Sequence, residues 1–158
     1  MLTLVDIIRA PKSNVQIGPW KSGKVPNAAL PLGRALKYGP SWDWRLVEFD
    51  ALGEHYRVLI LLSEETERFS AVLALDHQKG CLVLCHHELH TSHKLWHCHL
   101  IKGNVWETFP NVLRDKNRMV GWPKSGGKRW SEDFPVTKAN ALSIAAKRYR
   151  FEEQGGLC

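Results

Sequence analysis

The chain has 158 residues, 44% of them hydrophobic and 24% charged, which suits one globular domain able to bury about two thirds of its unfolded surface without a covalent staple. Twenty-two Lys and Arg against sixteen Asp and Glu leave a net charge of +6 and a pI near 9.3, a balance that points to nucleic acid or, more plainly, to a solvated basic surface. No apolar run approaches the roughly 18 residues that span a bilayer, so a helical membrane protein is excluded.

In chain order, residues 1–9 form a short apolar run broken by Asp6, with no basic residue ahead of it, unlike a signal peptide. The expected location is the cytoplasm, where Cys81, Cys85, Cys98 and Cys158 are reduced thiols or metal ligands rather than disulfides. Residues 11–41 carry Pro11, Pro19, Pro26, Pro31 and Pro40, so regular structure there is expected to be brief, with a short helix over 27–38.

Residues 42–101 have a different texture: apolar stretches of strand length separated by turn chemistry. Five strands are expected, over 42–50, 55–62, 68–76, 81–88 and 94–101. Their short links, including Gly53 in the first, imply sequential antiparallel neighbours, a meander. Residues 102–135 mix Pro, Gly and charge with Trp106, Trp122 and Trp130 and read as a long irregular segment. Over 136–151, Ala141, Leu142, Ala145, Ala146 and Tyr149 recur at three- and four-residue spacing, the pattern of an amphipathic helix whose stripe needs a sheet face. The expected fold is a single α+β domain: an antiparallel meander of about five strands, a C-terminal amphipathic helix and long irregular segments.

Six of the eight histidines fall between His86 and His99. Imidazole titrates near neutrality, ligates borderline metals and hydrogen-bonds through two distinct nitrogens, so such a cluster suits proton transfer or metal binding. Directly opposite residues of an antiparallel pair share a face. With Cys85 opposite Cys98, His86 faces His97, and His86, His97 and His99 form one face. Val83, Cys85, His87, Trp96, Cys98 and Leu100 form the other, and a two-residue slip preserves this partition. In the first hairpin Glu48 falls opposite Arg57. Val47, Phe49, Tyr56, Val58, Ile60 and Leu62 make an apolar face, with Glu48, His55 and Arg57 behind it. Whether that reverse face is also the histidine face depends on the register across residues 76–80.

Three functional readings follow. In the first, His97 and His86 act as acid and base on RNA or another phosphodiester, without a metal. His99 is their partner, Arg57 stabilises phosphoryl charge, and Glu48 or Glu88 replaces or orients an imidazole. The plan of a short helical N-terminal part followed by a meander with an exposed face resembles, in architecture and not in motif, small bacterial ribonuclease toxins of the RelE and barnase-like type. The resemblance implies an RNA-cleaving toxin and a protein inhibitor or antitoxin as partner.

In the second reading His86, His97 and His99 hold zinc with an open fourth position, or Cys81, Cys85 and Cys98 with His87, His90 or His93 hold a structural ion. The third is a non-enzymatic protein- or nucleic-acid-binding protein, including a viral host-interaction protein, whose histidines are satisfied polar groups. For nucleic acid, Lys94 and the interleaved Trp122, Lys124, Lys128, Arg129 and Trp130 offer cations for phosphates and indoles for bases, or else cover a sheet edge. Residues 124–128 lack the phosphate-loop pattern, and Ser92 beside His90 and His93 has no nucleophile elbow around it. Lys138, Lys147, Arg148 and Arg150 read as a solvated helix face.

Overall fold

The computed structural model describes residues 1–90, 95–122 and 135–153. Among these residues the elements are α1 (Leu4–Arg9), β1 (Ser13–Ile17), β2 (Lys21–Ser22), β3 (Asp43–Ala51), β4 (Glu54–Ser63), β5 (Arg68–His77), β6 (Gly80–His90), β7 (Leu95–Ile101), a 3-10 turn (Val105–Glu107), β8 (Met119–Trp122) and α2 (Ala141–Tyr149). All strands belong to one antiparallel sheet in the order β1-β3-β4-β5-β6-β7-β8, with β2 also paired to β3. The five expected strands are β3 to β7. The sheet reaches eight because β1, β2 and β8 add short edges that carry too little alternation to be legible.

Two of the links in the meander are two residues long. Leu52 and Gly53, at φ 52° and 76°, turn β3 into β4 as both central residues of a mirror-type turn. Between β5 and β6, His77 pairs with Gly80 across Gln78 and Lys79. The Glu48–Arg57 pairing holds as expected.

One face buries Val47, Phe49, Tyr56, Val58, Ile60, Leu62 and Leu73 beneath Leu4 and Ile7 of α1 and Ala141, Ala145 and Tyr149 of α2. The Tyr149 hydroxyl ties α2 to the sheet by donating to Ala71 O at 2.6 Å. The helix begins at Ala141 rather than residue 136 because the Asn140 side chain accepts from Thr137 N and donates to Pro135 O, stabilising a turn in place of the first helical turn.

The reverse face has a core of its own. Leu59, Leu61, Val72, Ala74, Cys81 and Val83 are covered by Val25, Leu30, Leu32 and Leu36. The expected short helix over 27–38 is absent. Pro31 lacks the donor a helix needs, and the segment instead runs through turns closed by a Val25–Leu36 bridge. This covering divides the polar side chains of the reverse face into two groups, one at the β6–β7 end and one around Arg57 on β3–β5.

Candidate functional site

A bulge in β6 creates the site. Leu73 pairs with Cys85 and Ala74 with Val83, so Leu84 is an extra residue. Alternation is thereby reset: Leu82 and Leu84 face the α2 core, whereas His86, Glu88 and His90 emerge on the reverse face. Bulges commonly re-aim side chains in this way. The expected grouping of Val83 with Cys85 is corrected for the same reason, because Val83 joins the reverse core while Cys85 joins the α2 core.

The β6–β7 register is His86 opposite His99, His87 opposite Cys98 and Glu88 opposite His97. It is slipped two residues from a Cys85–Cys98 pairing, which preserves His86, His97 and His99 on one face and brings Glu88 to their centre. Because Leu59 pairs with Val72 and Val72 with His86, this face is the one that also carries Glu48 and Arg57.

Glu88 is almost fully buried at 4% exposure, and its two oxygens have separate roles. Oε2 lies 2.8 Å from His90 Nε2, 3.3 Å from His97 Nε2 and 3.8 Å from His99 Nε2. Oε1 accepts from an Arg114 guanidinium nitrogen and lies 3.5 Å from His86 Nδ1. The His86 ring is fixed from behind, since its Nε2 donates to Leu113 O at 2.6 Å. Rings of His90 and His97 stack at 5.0 Å, and those of His97 and His99 meet edge-on at 5.1 Å.

Burial opposes the Glu88 charge, but hydrogen bonds from His86, His97 and His90 and the charge of Arg114 outweigh it and hold the carboxyl well below its ordinary range. Burial, followed by the positive charge of Arg114, lowers His99 to about 4, so that its ring is neutral at physiological pH.

Leu113 and Arg114 reach the cluster from outside the meander. Asn111 anchors them: its N–H donates to Cys81 O at 3.0 Å and its Nδ2 to Lys79 O at 2.8 Å. The approach requires Gly80, where a Cβ would overlap Asn111 Oδ1 and come within 2.7 Å of Pro31 O.

Beside the cluster opens a cleft of about 220 Å³ whose walls include His86, Glu88, His90 and Arg114 together with Tyr38, Trp42, Arg68 and Ser70.

The other expected site residues lie elsewhere. Arg57 donates through Nε to Asp76 Oδ1 at 2.7 Å and through Nη1 to the carbonyls of Ala28 and Ala29, and it lies 3.6 Å from Glu48. Glu48 and Asp50 are bridged by His55 at 3.1 and 2.7 Å. Buried Val72, Ala74 and Val83 separate this network from Glu88 along the shared face.

A structural ion on the three core cysteines is ruled out by direction, since Cys81 is in the reverse core and Cys85 and Cys98 are in the α2 core. Trp122 ends β8 and is 43% exposed. Lys94, Lys124, Lys128, Arg129 and Trp130, like Ser92 and His93, lie outside the described residues.

Sequence reasoning named Glu88 only as an alternative base or orienting group and His90 only as an alternative ligand of a cysteine-bound ion; it missed Glu88 as the centre, His90 as its neighbour, and Arg114 as a site residue. The first two were legible, because His86-x-Glu88-x-His90 is a period-two pattern on a strand. Arg114 carries no local signal. No protein family, curated protein or solved structure matches the chain. The functional reading therefore rests on the geometry of the site.

Proposed function

We propose that the protein is a metal-dependent hydrolase of phosphodiesters, with its reaction centre at Glu88, His90 and His97 and with His99 adjoining. One observation carries this reading: three imidazole Nε2 atoms stand 2.8, 3.3 and 3.8 Å from a single carboxylate oxygen. Four ligands at about 2.0–2.1 Å from a tetrahedral zinc ion are separated from one another by about 3.3 Å. The donor atoms of Glu88, His90 and His97 all lie within 4.8 Å of one another, so small rotations bring them onto one ion.

The second carboxylate oxygen supports the reading, since His86 and Arg114 hold Oε1 and leave Oε2 to act alone. Such outer partners fix ligand orientation. His99, neutral and 28% exposed in its side chain, is a third nitrogen donor or, unligated, a base beside the centre. A bound zinc ion lowers the pKa of its water toward neutrality and polarises a phosphoryl oxygen. The net charge of +6 favours an anionic substrate.

Elemental mass spectrometry of untagged protein, paired with a phosphodiester hydrolysis assay in chelator and after zinc is restored, tests the reading. Near-stoichiometric zinc and zinc-restored activity are expected. Stoichiometric iron without hydrolysis would replace it with redox chemistry, which a two-histidine, one-carboxylate set also serves.

A second reading, metal-independent RNA cleavage, is favoured by the edge-on pair His97 and His99, both partly open to solvent. It moves the proton-transfer roles from His86, whose side chain is only 4% exposed, to His97 and His99. Metal-free protein that cleaves RNA at full rate in chelator would favour it.

A further inference from the structure

We infer that the cleft beside Glu88 is the seat of one unpaired base of single-stranded nucleic acid, stacked on the Tyr38–Trp42 wall with its flanking phosphate drawn between Arg68 and Arg114. This assignment rests on reading the Glu88 cluster as a phosphodiester hydrolase and supplies its substrate class.

Three observations converge on it. Cleft and cluster share His86, Glu88, His90 and Arg114, so a group held in the cleft has its neighbouring backbone against the reacting oxygen. The facing wall is aromatic: Tyr38 and Trp42 rings lie 5.1 Å apart at 48°. A base sandwiched between two rings needs roughly 7 Å, twice the ordinary carbon contact distance. These two rings therefore tile one continuous wall on which a base stacks from the open side.

The third observation is charge. Arg68 is exposed on the cleft wall and makes no ion pair among the described residues. Arg114 is 37% exposed beyond its contact with Glu88. Together with the net charge of +6, these cations suit a polyanion, and Arg in particular offers a planar fork to phosphate.

Size selects the strand state. A volume of about 220 Å³ is below the roughly 300 Å³ at which pockets begin to enclose drug-sized ligands. It admits a single heterocycle, whereas a duplex keeps its bases stacked and out of reach of a side wall.

The test is fluorescence anisotropy with zinc-supplemented full-length protein. The probes are a labelled single-stranded RNA dodecamer, the DNA of the same sequence, and the blunt RNA duplex. Wild type is expected to bind the single strands in preference to the duplex. Trp42→Ala should weaken binding about ten-fold or more, Trp42→Phe should recover most of it, and Arg68→Ala should lower both the affinity and its salt dependence, the latter by about one counterion. RNA and DNA arms tell whether the ribose hydroxyl contributes.

Unfolding temperature and zinc content are read for every variant, and Arg68→Ala, on an exposed side chain, answers the question even if Trp42→Ala fails to fold. Wild-type affinity in Arg68→Ala or in a folded Trp42→Ala, or equal binding of duplex and single strand, overturns the assignment. Strand binding that depends on Trp42 and Arg68 in a protein without zinc or cleavage keeps the cleft assignment and removes the hydrolase reading. Zinc-dependent cleavage with binding indifferent to both residues does the reverse.

Discussion

Two polar clusters share the reverse face of the sheet, built from the same residue types and put to different uses. Around Arg57, three carboxylates, Glu48, Asp50 and Asp76, meet His55 and Arg57, and each has a near partner within the network. The guanidinium also satisfies the carbonyls of Ala28 and Ala29 in the covering segment. That arrangement fastens the reverse core to the sheet. Around Glu88 the ratio is inverted: one buried carboxylate faces four imidazoles and an arginine. Matched partners saturate each other and make structure, whereas several donors converging on one oxygen leave coordination capacity for something else.

The largest expected effect comes from removing the convergent oxygen. Glu88→Gln should lose bound zinc and reduce hydrolysis by at least about 100-fold, since even the partners that merely orient metal ligands are worth about 10- to 100-fold. Unchanged zinc stoichiometry in that variant would erase the contrast between the clusters.

Arg57→Ala should cost stability instead. Breaking a fully buried ion pair costs about 3–5 kcal/mol. The Arg57 and Asp76 side chains keep 16% and 31% exposure, so about 2–3 kcal/mol is expected in urea titration, with zinc retained. A catalytic loss without destabilisation would instead place Arg57 at the reaction centre.

His86→Gln sharpens the distinction between ligand and support. Zinc affinity, read by competition with a chelating dye, should fall about 10- to 100-fold, while His55→Gln leaves it unaltered. Equal effects of the two would mean that the clusters are coupled.

The smallest effect is the pH dependence of His55, which is opposite in sign to that of Glu88. Although burial opposes it, His55 is raised above 6.5 by Asp50 and Glu48. Its contribution is therefore fully present below pH 6.5 and lost as pH rises through its folded value. Glu88 is lowered from 4.5, so its contribution is present above pH 4.5 and lost as pH falls through its folded value. Melting temperatures in chelator should show the His55→Gln deficit in acid and its disappearance in base, an effect below about 1 kcal/mol because the ring is 39% exposed. A His55→Gln deficit that grows with pH would reverse the sign of the pairing.

Much of the scaffold was readable from local chemistry. β4, β5 and β6 carry the continuous apolar runs of strands buried on both faces, β3 and β7 intersperse polar residues, and Gly53 marks the first turn. The Glu48–Arg57 pairing followed from a two-residue link, which leaves little freedom of register. The α2 helix was visible in its stripe, but its start was not, because Asn140 competes with the helix through contacts that periodicity ignores. Residues 11–41 were read as irregular, yet Val25, Leu30, Leu32 and Leu36 form half of a second core. Their apolar character lacks a period because a turn-rich segment presents side chains at uneven intervals.

The candidate site divides in the same way. Its histidines and the shared face of His86, His97 and His99 follow from sequence alone, since strand alternation survives a two-residue slip of register. Three features belong to the tertiary structure: the extra residue at Leu84 that places the whole His86-Glu88-His90 set on the reverse face, the Asn111 anchor over Gly80 that delivers Leu113 and Arg114, and the separation of Arg57 from the cluster by buried Val72, Ala74 and Val83. Alternation along a strand is a local property that each residue carries with it. Bulges and docked loops are settled by which side chains the rest of the chain can bury, and that is a property of the whole fold.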